Sequence, residues 1–239
     1  MSGTENGVRH GWTRTQMLAL ASTHLSTHSG TWSTAWLAPV VDRLAAWKPT
    51  LITVEQLSGA QCEVLRANPA VHGDTFESYC RDAAPYQRSL RLTQPQAAAE
   101  IERRLATWPG APTAAQRRDL AMLFMAAGDP YSAMVQWLRL PAAERRVADT
   151  LTQDAVHVLS RPSGRLNETY DIAAAVAARA GLERLYAVDD HTSDAIAMGY
   201  GPGFGKWQQT HYAAVNARAV GRAHREAEGA VRDAATLLG

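Results

Sequence analysis

The sequence predicts an α/β fold, in which a small, mostly parallel sheet has flanking helices and a large helical insertion at about 94–160. Three observations support it. Short apolar runs have the composition of strands buried on both faces, stretches with helical spacing separate these runs, and the middle of the chain is helical almost throughout. With 239 residues, of which 46% are hydrophobic and 20% charged, the chain can build one sizeable core. We therefore expect residues 1–239 to form a single domain.

The first two predicted strands and the helix between them lie near the start of the sequence. Residues 17–21 (MLALA) predict a buried strand, and apolar side chains at helical spacing predict a helix from Trp36 to Trp47. This helix ends before Pro49, because a residue that precedes proline avoids the α region. Residues 51–54 (LITV) predict the second strand. A strand, a helix and a strand in close succession form a βαβ unit, so the two strands are expected to be parallel.

The remaining predicted elements are mainly helical. Between about 94 and 160, proline and glycine residues divide the chain into successive helical segments, which predicts helix-turn-helix connections. Residues 167–180 predict an alanine-rich helix that Gly181 ends, and residues 185–188 predict the third strand. A glycine-rich loop and a last helix, from about 208 to 237, are expected to follow.

Charge and hydropathy exclude several classes of function. The 24 Lys and Arg residues against 23 Asp and Glu residues leave a formal net charge of +1, without the positive excess that nucleic acids or anionic membranes attract. No apolar stretch approaches the roughly 20 residues of a membrane-spanning helix. The N-terminal residues lack the charged segment, apolar stretch and cleavage site of a secretory signal. We therefore expect a cytoplasmic protein with neither nucleic-acid nor membrane partners.

The two cysteines, Cys62 and Cys80, have a limited range of roles. They cannot form a disulfide framework, and they cannot complete a structural zinc site without histidines. In a cytoplasmic protein both are expected to be reduced, and a disulfide between them is the less favoured alternative. Histidines and carboxylates are therefore the residues to consider for chemistry.

Polar side chains follow each of the three predicted strands. His24 follows the first strand and Glu55 the second, and the third is followed by Asp189, Asp190, His191 and Asp194. Ligands of an open parallel sheet bind beyond the carboxyl ends of its strands, so these side chains are expected to meet at one rim. Taken singly, each could be a helix cap or a solvated loop residue. Taken together, they favour a metal site or a general acid/base site.

Two glutamates have specific expectations. Glu55 directly continues the apolar run 51–54, so we expect it to be partly buried and to need a partner, which His24 can supply. Asn167 is predicted to cap the helix that begins after it. Glu168 lies in the first turn of that helix, where it either complements the helix dipole or points into the rim as a second carboxylate. The sequence does not decide between these two roles.

Several of these segments resemble a known family. The matching residues are 20–25 (LASTHL), 48–55 (KPTLITVE), Asn167-Glu168 and 189–194 (DDHTSD), and the middle of the chain from Gly73 to Pro141 adds to the likeness. Together they resemble the bacterial DUF5694 family of the erythromycin esterase/ChaN-like superfamily, which also contains the TraB, GumN and Tiki proteins. The resemblance covers residues from about 17 to 235.

The resemblance implies an α/β fold and, for Tiki-like relatives, metal-dependent hydrolysis with His24 and Glu55 at the matching positions. Other relatives differ, since the erythromycin esterases hydrolyse a macrolide ester and ChaN binds haem. Two departures stand out: Ala21 replaces the first glycine of the Gly-x-x-His motif, and the sequence lacks the superfamily's final strand with its second Gly-x-x-His motif. The resemblance therefore leads us to expect a truncated or diverged member, or a sheet edge covered by the terminal helix or by a second copy in a homodimer.

The leading hypothesis is a metal-dependent hydrolase that cleaves an ester or peptide bond in a small-molecule or peptide substrate. A divalent zinc, manganese or iron ion would be held by five residues, namely His24, Glu55, Asp189, Asp190 and His191. Glu55 or Glu168 would act as the general base. One alternative is metal-free chemistry with His24 as the base, oriented by Glu55. A second is a non-catalytic family member that binds a small molecule or haem. A third, a structural interaction module, accounts for the helical insertion and the seven tryptophans but leaves the three strand ends unexplained, so it ranks last.

Overall fold

Helices dominate the structure, a computed structural model, and two short strands form a parallel pair. The α-helices are α1 (Ala38–Ala46), α2 (Gly59–Ala67), α3 (Pro69–Tyr79), α4 (Ala84–Leu90), α5 (Gln94–Ala106), α6 (Ala114–Ala126), α7 (Pro130–Leu138), α8 (Gln153–Ser160), α9 (Ala174–Ala180) and α10 (Pro202–Asn216). The strands are β1 (Thr53–Val54) and β2 (Tyr186–Ala187). The structure describes residues 16–20, 22, 24–28, 33–161, 163–191, 201–218, 221–223 and 226.

The parallel pair confirms two of the predicted strands. Thr53 pairs with Tyr186 and Val54 with Ala187. Hydrogen bonding continues past the strand ends, where the amide of Val188 donates to the Val54 carbonyl at 3.1 Å and the amide of Asp189 donates to the Gln56 carbonyl at 3.1 Å. These bonds place the segments that follow β1 and β2 side by side at the carboxyl end of the sheet.

The first predicted strand is wrong for the residues that can be compared. Residues 16–20 form no strand and are exposed, with Met17 90% exposed, and Ala21 lies outside the described residues. An apolar run predicts that a segment is able to be buried, but it does not specify the sheet edge that would receive it. The structure is therefore compatible with an α/β class, although its sheet is smaller than the sequence predicts.

The helices predicted between about 94 and 160 are present, and they carry most of the main hydrophobic core. Helices α6 and α7 contribute fully buried side chains such as Leu120, Phe124 and Val135, and β1 adds Val54. A second cluster joins α1 to the segment before α9 through Leu25, Leu37, Val40, Leu166 and Ile172. The stretch expected as an insertion thus supplies the surface against which the strands pack.

The amino end of α2 packs closely against the turn between α6 and α7. A Cβ atom built on Gly59 would lie 1.7 Å from the carbonyl oxygen of Ala127, and Gly128 has a φ of 77°. No side chain fits at position 59, and glycine is favoured at the positive φ of position 128. Ser58 and Gln61 form a capping box at the start of the same helix. Helix α2 is therefore firmly attached to the core.

The last described helix differs from its prediction. Helix α10 begins at Pro202, so Gly203 and Gly205, expected in a loop, lie within a helix. Phe204 stacks on Trp207 with ring centroids 5.7 Å apart, and Trp207 is exposed. Most of the expected extension beyond Asn216 lies outside the described residues.

Candidate functional site

The segment that leads into α9 has an unusual conformation that positions several polar side chains. Residues Thr169–Ala173 form a π-helix, a conformation often found at functional sites. The Asn167 side-chain oxygen accepts hydrogen bonds from the amides of Thr169 at 3.0 Å and Tyr170 at 3.1 Å, so the predicted cap is confirmed. The amide of Asn167 donates in turn to the Asp171 carboxylate at 2.7 Å. These bonds fix the direction of the neighbouring Glu168.

Glu168 binds His24, which lies 144 residues away in the sequence. The Nδ1 atom of His24 is 2.8 Å from Oε1 of Glu168, and the amide of Leu25 donates to Oε2 at 3.2 Å. The His24 side chain is 81% exposed and that of Glu168 is 31% exposed. Leu25 is completely buried and anchors the chain next to the histidine. Both carboxylate oxygens are therefore engaged, while the imidazole remains open to solvent.

Glu55 does not take the position expected from the sequence. It is exposed, and the carboxylate that pairs with His24 is Glu168. Side chains alternate between the two faces of a strand, so the burial of Val54 directs Glu55 to the opposite face. On that face Val188 is also exposed. The continuous apolar run suggested two covered faces, and in the structure only one of them is covered at this point.

The residues after β2 form a second histidine–carboxylate pair. Nε2 of His191 lies 3.2 Å from Oδ2 of Asp189, and the amide of Asp190 donates to Oδ1 of Asp189 at 2.8 Å. The backbone carbonyl of Asp189 accepts a 3.1 Å hydrogen bond from Gln61, and the ring of His191 lies 4.1 Å from that of Tyr79. Asp190 is exposed. Asp194, the remaining candidate, lies outside the described residues.

The five residues expected to hold a metal do not form one ligand set in the part of the chain that the structure describes. His24 pairs with Glu168, His191 pairs with Asp189, and Glu55 is exposed. No group of three or more His, Cys, Asp or Glu side chains among the described residues could hold an ion. As placed here, these five donors do not converge on one point. The divalent ion expected from the strand-end residues and from the resemblance therefore stays a prediction.

A chain of hydrogen bonds that runs from Tyr131 through Gln56 to Thr169 was not predicted. The Tyr131 hydroxyl donates to the side-chain oxygen of Gln56, whose nitrogen donates to the Thr169 hydroxyl at 3.4 Å. Burial raises the pKa of the Tyr131 hydroxyl, so it remains a proton donor at neutral pH. The sequence signals only where helix α7 begins, because Asp129 accepts a hydrogen bond from the Ser132 amide at 2.9 Å and a proline is the first residue of the helix. It does not mark Tyr131 as part of a polar cluster.

A second buried tyrosine extends this polar cluster. The rings of Tyr131 and Tyr170 lie 4.8 Å apart, and the Arg161 guanidinium lies 4.9 Å from the Tyr170 ring centroid. Burial raises the pKa of the Tyr170 hydroxyl, although Arg81 and Arg161 oppose the shift. Arg161 also pairs with Asp171. The π-helix is thus held from both sides by side chains of neighbouring segments.

The two cysteines form a disulfide, so the expectation that both are reduced is wrong for this structure. Cys62 in α2 bonds to Cys80 at the end of α3, with their Cα atoms 5.7 Å apart. The chain reverses direction at Asn68, between the two helices, and brings together residues that are 18 positions apart. Sequence spacing alone does not reveal this reversal. Stable disulfides are typical of oxidising compartments, so a cytoplasmic location stays a prediction.

Comparison of the chain with protein-family models, curated proteins and solved structures finds no match. The resemblance to the erythromycin esterase/ChaN-like superfamily therefore stays an expectation. Among the described residues, none of the helices is long and apolar enough to cross a membrane.

Proposed function

We propose that the protein is a hydrolase of ester or peptide bonds in which His24, oriented by Glu168, is the general base. The observation that carries the proposal is the 2.8 Å contact between Nδ1 of His24 and a carboxylate whose second oxygen is held by the Leu25 amide. A histidine held at one ring nitrogen by a carboxylate is a recurring arrangement in hydrolytic sites. The resemblance to esterases and Tiki-like proteins supports the same class of reaction.

The proposed chemistry follows from the acceptor character of the carboxylate. An ionised Glu168 can only accept, so Nδ1 of His24 carries the hydrogen and Nε2 is left with a lone pair. Nε2 takes a proton from a water molecule as that water attacks the substrate carbonyl. The positive charge that forms on the imidazole is stabilised by Glu168, and the same proton then passes to the leaving group.

Other rim residues position this pair. Gln56 connects Tyr131 with Thr169, the residue next to Glu168. Because the Tyr131 hydroxyl stays protonated, this connection persists across the neutral pH range. Tyr131, Gln56 and Thr169 therefore act as positioning residues that hold the π-helix and keep the carboxylate directed at His24.

The experiment is a hydrolysis assay with 4-nitrophenyl esters and a mixture of short peptides. We expect the wild-type protein to hydrolyse at least one probe, and His24→Ala to lower kcat/KM by about 10²- to 10⁴-fold. The matched control is His157→Ala, which removes an exposed histidine of α8. This control should leave the rate unchanged, and circular dichroism should show that both variants are folded.

Three results would contradict the proposal. The first is equal hydrolysis by the wild-type protein and a folded His24→Ala variant. The second is binding of haem or another small molecule without turnover of any probe, which would favour the non-catalytic alternative. The third concerns the mechanism: a divalent ion that copurifies with the wild-type protein and is lost in His24→Ala would replace the metal-free scheme with the metal-dependent one.

A further inference from the structure

The Asp189–His191 segment is held by two side chains that are each next to a disulfide-bonded cysteine. Gln61 precedes Cys62 and donates to the carbonyl of Asp189 at 3.1 Å. Tyr79 precedes Cys80, and its ring lies 4.1 Å from the ring of His191. The disulfide thus joins the two helices that contact the second histidine–carboxylate pair.

The two helices differ in how firmly they are attached to the rest of the protein. Helix α2 has a capping box, buries Cys62, and packs at Gly59 against the turn between α6 and α7. Helix α3 has no buried residue among those whose exposure is described, and Tyr79 is itself 51% exposed. A helix that buries so little apolar surface has little stability of its own. The covalent bond at Cys80 is therefore a principal attachment of the end of α3.

We propose that the Cys62–Cys80 disulfide is a thiol–disulfide switch that controls the order of the Asp189–His191 segment. In the oxidised state Tyr79 is kept against His191. In the reduced state the end of α3 separates from α2, Tyr79 leaves His191, and the contact from Gln61 remains because α2 is anchored independently. The switch concerns the order of this segment alone and does not depend on the proposed hydrolytic function.

The reaction requires a dithiol reductant. One reductant thiolate attacks the sulfur of Cys80, which is the more exposed of the two cysteines, and the S–S bond breaks with Cys62 leaving as a thiolate that takes up a proton. The second reductant thiol then displaces Cys80 from the mixed disulfide. Two electrons and two protons pass to the protein, which ends with two thiols, while the reductant ends as a disulfide. In a reducing compartment, disulfides are typically transient and redox-sensing, which suits such a switch.

The test is hydrogen exchange of the backbone amides of residues 189–191 in the full chain, with and without dithiothreitol. We expect reduction to speed exchange at the His191 end of this segment by at least about tenfold, while the Asp189 amide, which donates to the Gln56 carbonyl, and the amides in α6 stay protected. Cys80→Ser should show the fast exchange without reductant, and dithiothreitol should add nothing to it. Tyr79→Leu keeps the disulfide and should reproduce the fast exchange in part.

Two outcomes would overturn the inference. One is unchanged exchange at 189–191 after a thiol assay has shown that both cysteines are reduced. The other is a purified, air-oxidised protein that contains two free thiols. A failure of the switch can be told from a failure of the proposed function, since exchange is measured without a substrate. If exchange responds to reductant and no probe is hydrolysed, only the proposed function fails.

Discussion

The two ends of the β1–β2 pair carry ionic groups in opposite settings. At the amino end Glu183 is bound by Arg117 at 3.0 Å, by Arg139 at 2.7 Å and by Gln136 at 2.8 Å, and Arg117 is only 8% exposed. At the carboxyl end the His24 side chain, paired with Glu168, is 81% exposed. A closed network around a buried arginine satisfies its own charges and holds helices to the sheet. An open pair has a free side from which a substrate can approach.

The backbone differs in the same way between the two ends. The arginines and the glutamine of the amino end lie on or just after the regular helices α6 and α7. At the carboxyl end His24 precedes a 3₁₀-helix, Leu25–His28, and Glu168 precedes a π-helix. Regular helices position side chains that serve packing, and irregular turns are more common where side chains serve chemistry. Substitutions at the two ends should therefore affect different properties.

The largest expected effect on stability is at the amino end. Arg117→Ala removes a buried charge and leaves Gln136 and Glu183 short of a partner, so we expect the free energy of unfolding to fall by about 3 kcal/mol. Urea denaturation measures it. Arg103→Ala, which removes an exposed partner of Glu100, is the control. It should leave the free energy of unfolding unchanged within error. Equal losses of unfolding free energy in both variants would show that the buried Arg117 contributes no more to stability than an exposed arginine.

The matching change at the carboxyl end should affect activity more than stability. Glu168→Gln retains the shape of the side chain but cannot stabilise a positive imidazole, so we expect kcat/KM to fall about 10²-fold. The free energy of unfolding should change by no more than about 1 kcal/mol, because the pair is open to solvent. Ester hydrolysis and urea denaturation of one preparation measure both quantities. A variant that is strongly destabilised but fully active would show that this pair is structural.

A smaller effect is expected where α2 meets the core. Gly59→Ala introduces a Cβ atom that the carbonyl of Ala127 already occupies, so α2 must shift, and we expect a loss of about 1 to 3 kcal/mol. Gly205→Ala in α10 is the matched control, because nothing lies within 4 Å of a Cβ atom there. Thermal unfolding measures the stabilities of the Gly59→Ala and Gly205→Ala variants. A Gly59→Ala protein as stable as the control would mean that α2 is only loosely attached.

The smallest effect concerns Glu100 and its two arginine partners at the surface of α5, and it depends on pH. Hydrogen bonds from Arg103 and Arg104 lower the pKa of Glu100 from 4.5 to about 2. The folded state therefore favours the ionised form, and its contribution is present above about pH 4.5 and lost as the pH falls toward 2. Solvent screening keeps it below about 1 kcal/mol. The stability difference between the wild-type protein and Glu100→Gln should disappear at low pH, and a constant difference would contradict this assignment.

Local sequence patterns predicted the elements that depend on neighbouring residues. The helix ending before Pro49, the cap at Asn167 and the glycine stop at Gly181 are all present, because caps and breakers act within a few positions. The two strands of the parallel pair were predicted from their apolar runs, although the same kind of run at residues 17–21 did not give a strand. Glu168 was also marked as a rim candidate, although its alternative role at the helix dipole was equally favoured.

Features that depend on distant contacts could not be predicted in the same way. The link between His24 and Glu168 spans 144 residues, and no local signal selects Glu168 over Glu55. The disulfide depends on the reversal at Asn68, and the exposure of residues 16–20 depends on which sheet edge is left without a partner. Tyr131 was missed because a tyrosine in a helix is usually read as packing. In each case the deciding information is the tertiary arrangement.

The π-helix before α9 contains about one residue more per turn than an α-helix, so side chains before and after it point in directions that a regular α-helix would not combine. Ile172 and Val176 belong to the second core cluster, whereas Glu168 points toward His24. Deleting one residue between 169 and 173 would turn the segment into ordinary α-helix. It would also rotate everything upstream by about 100° about the axis relative to α9. The core contacts of α9 could survive such a deletion while Glu168 turned away from His24, so the single additional residue is what allows one helix to serve both packing and the site.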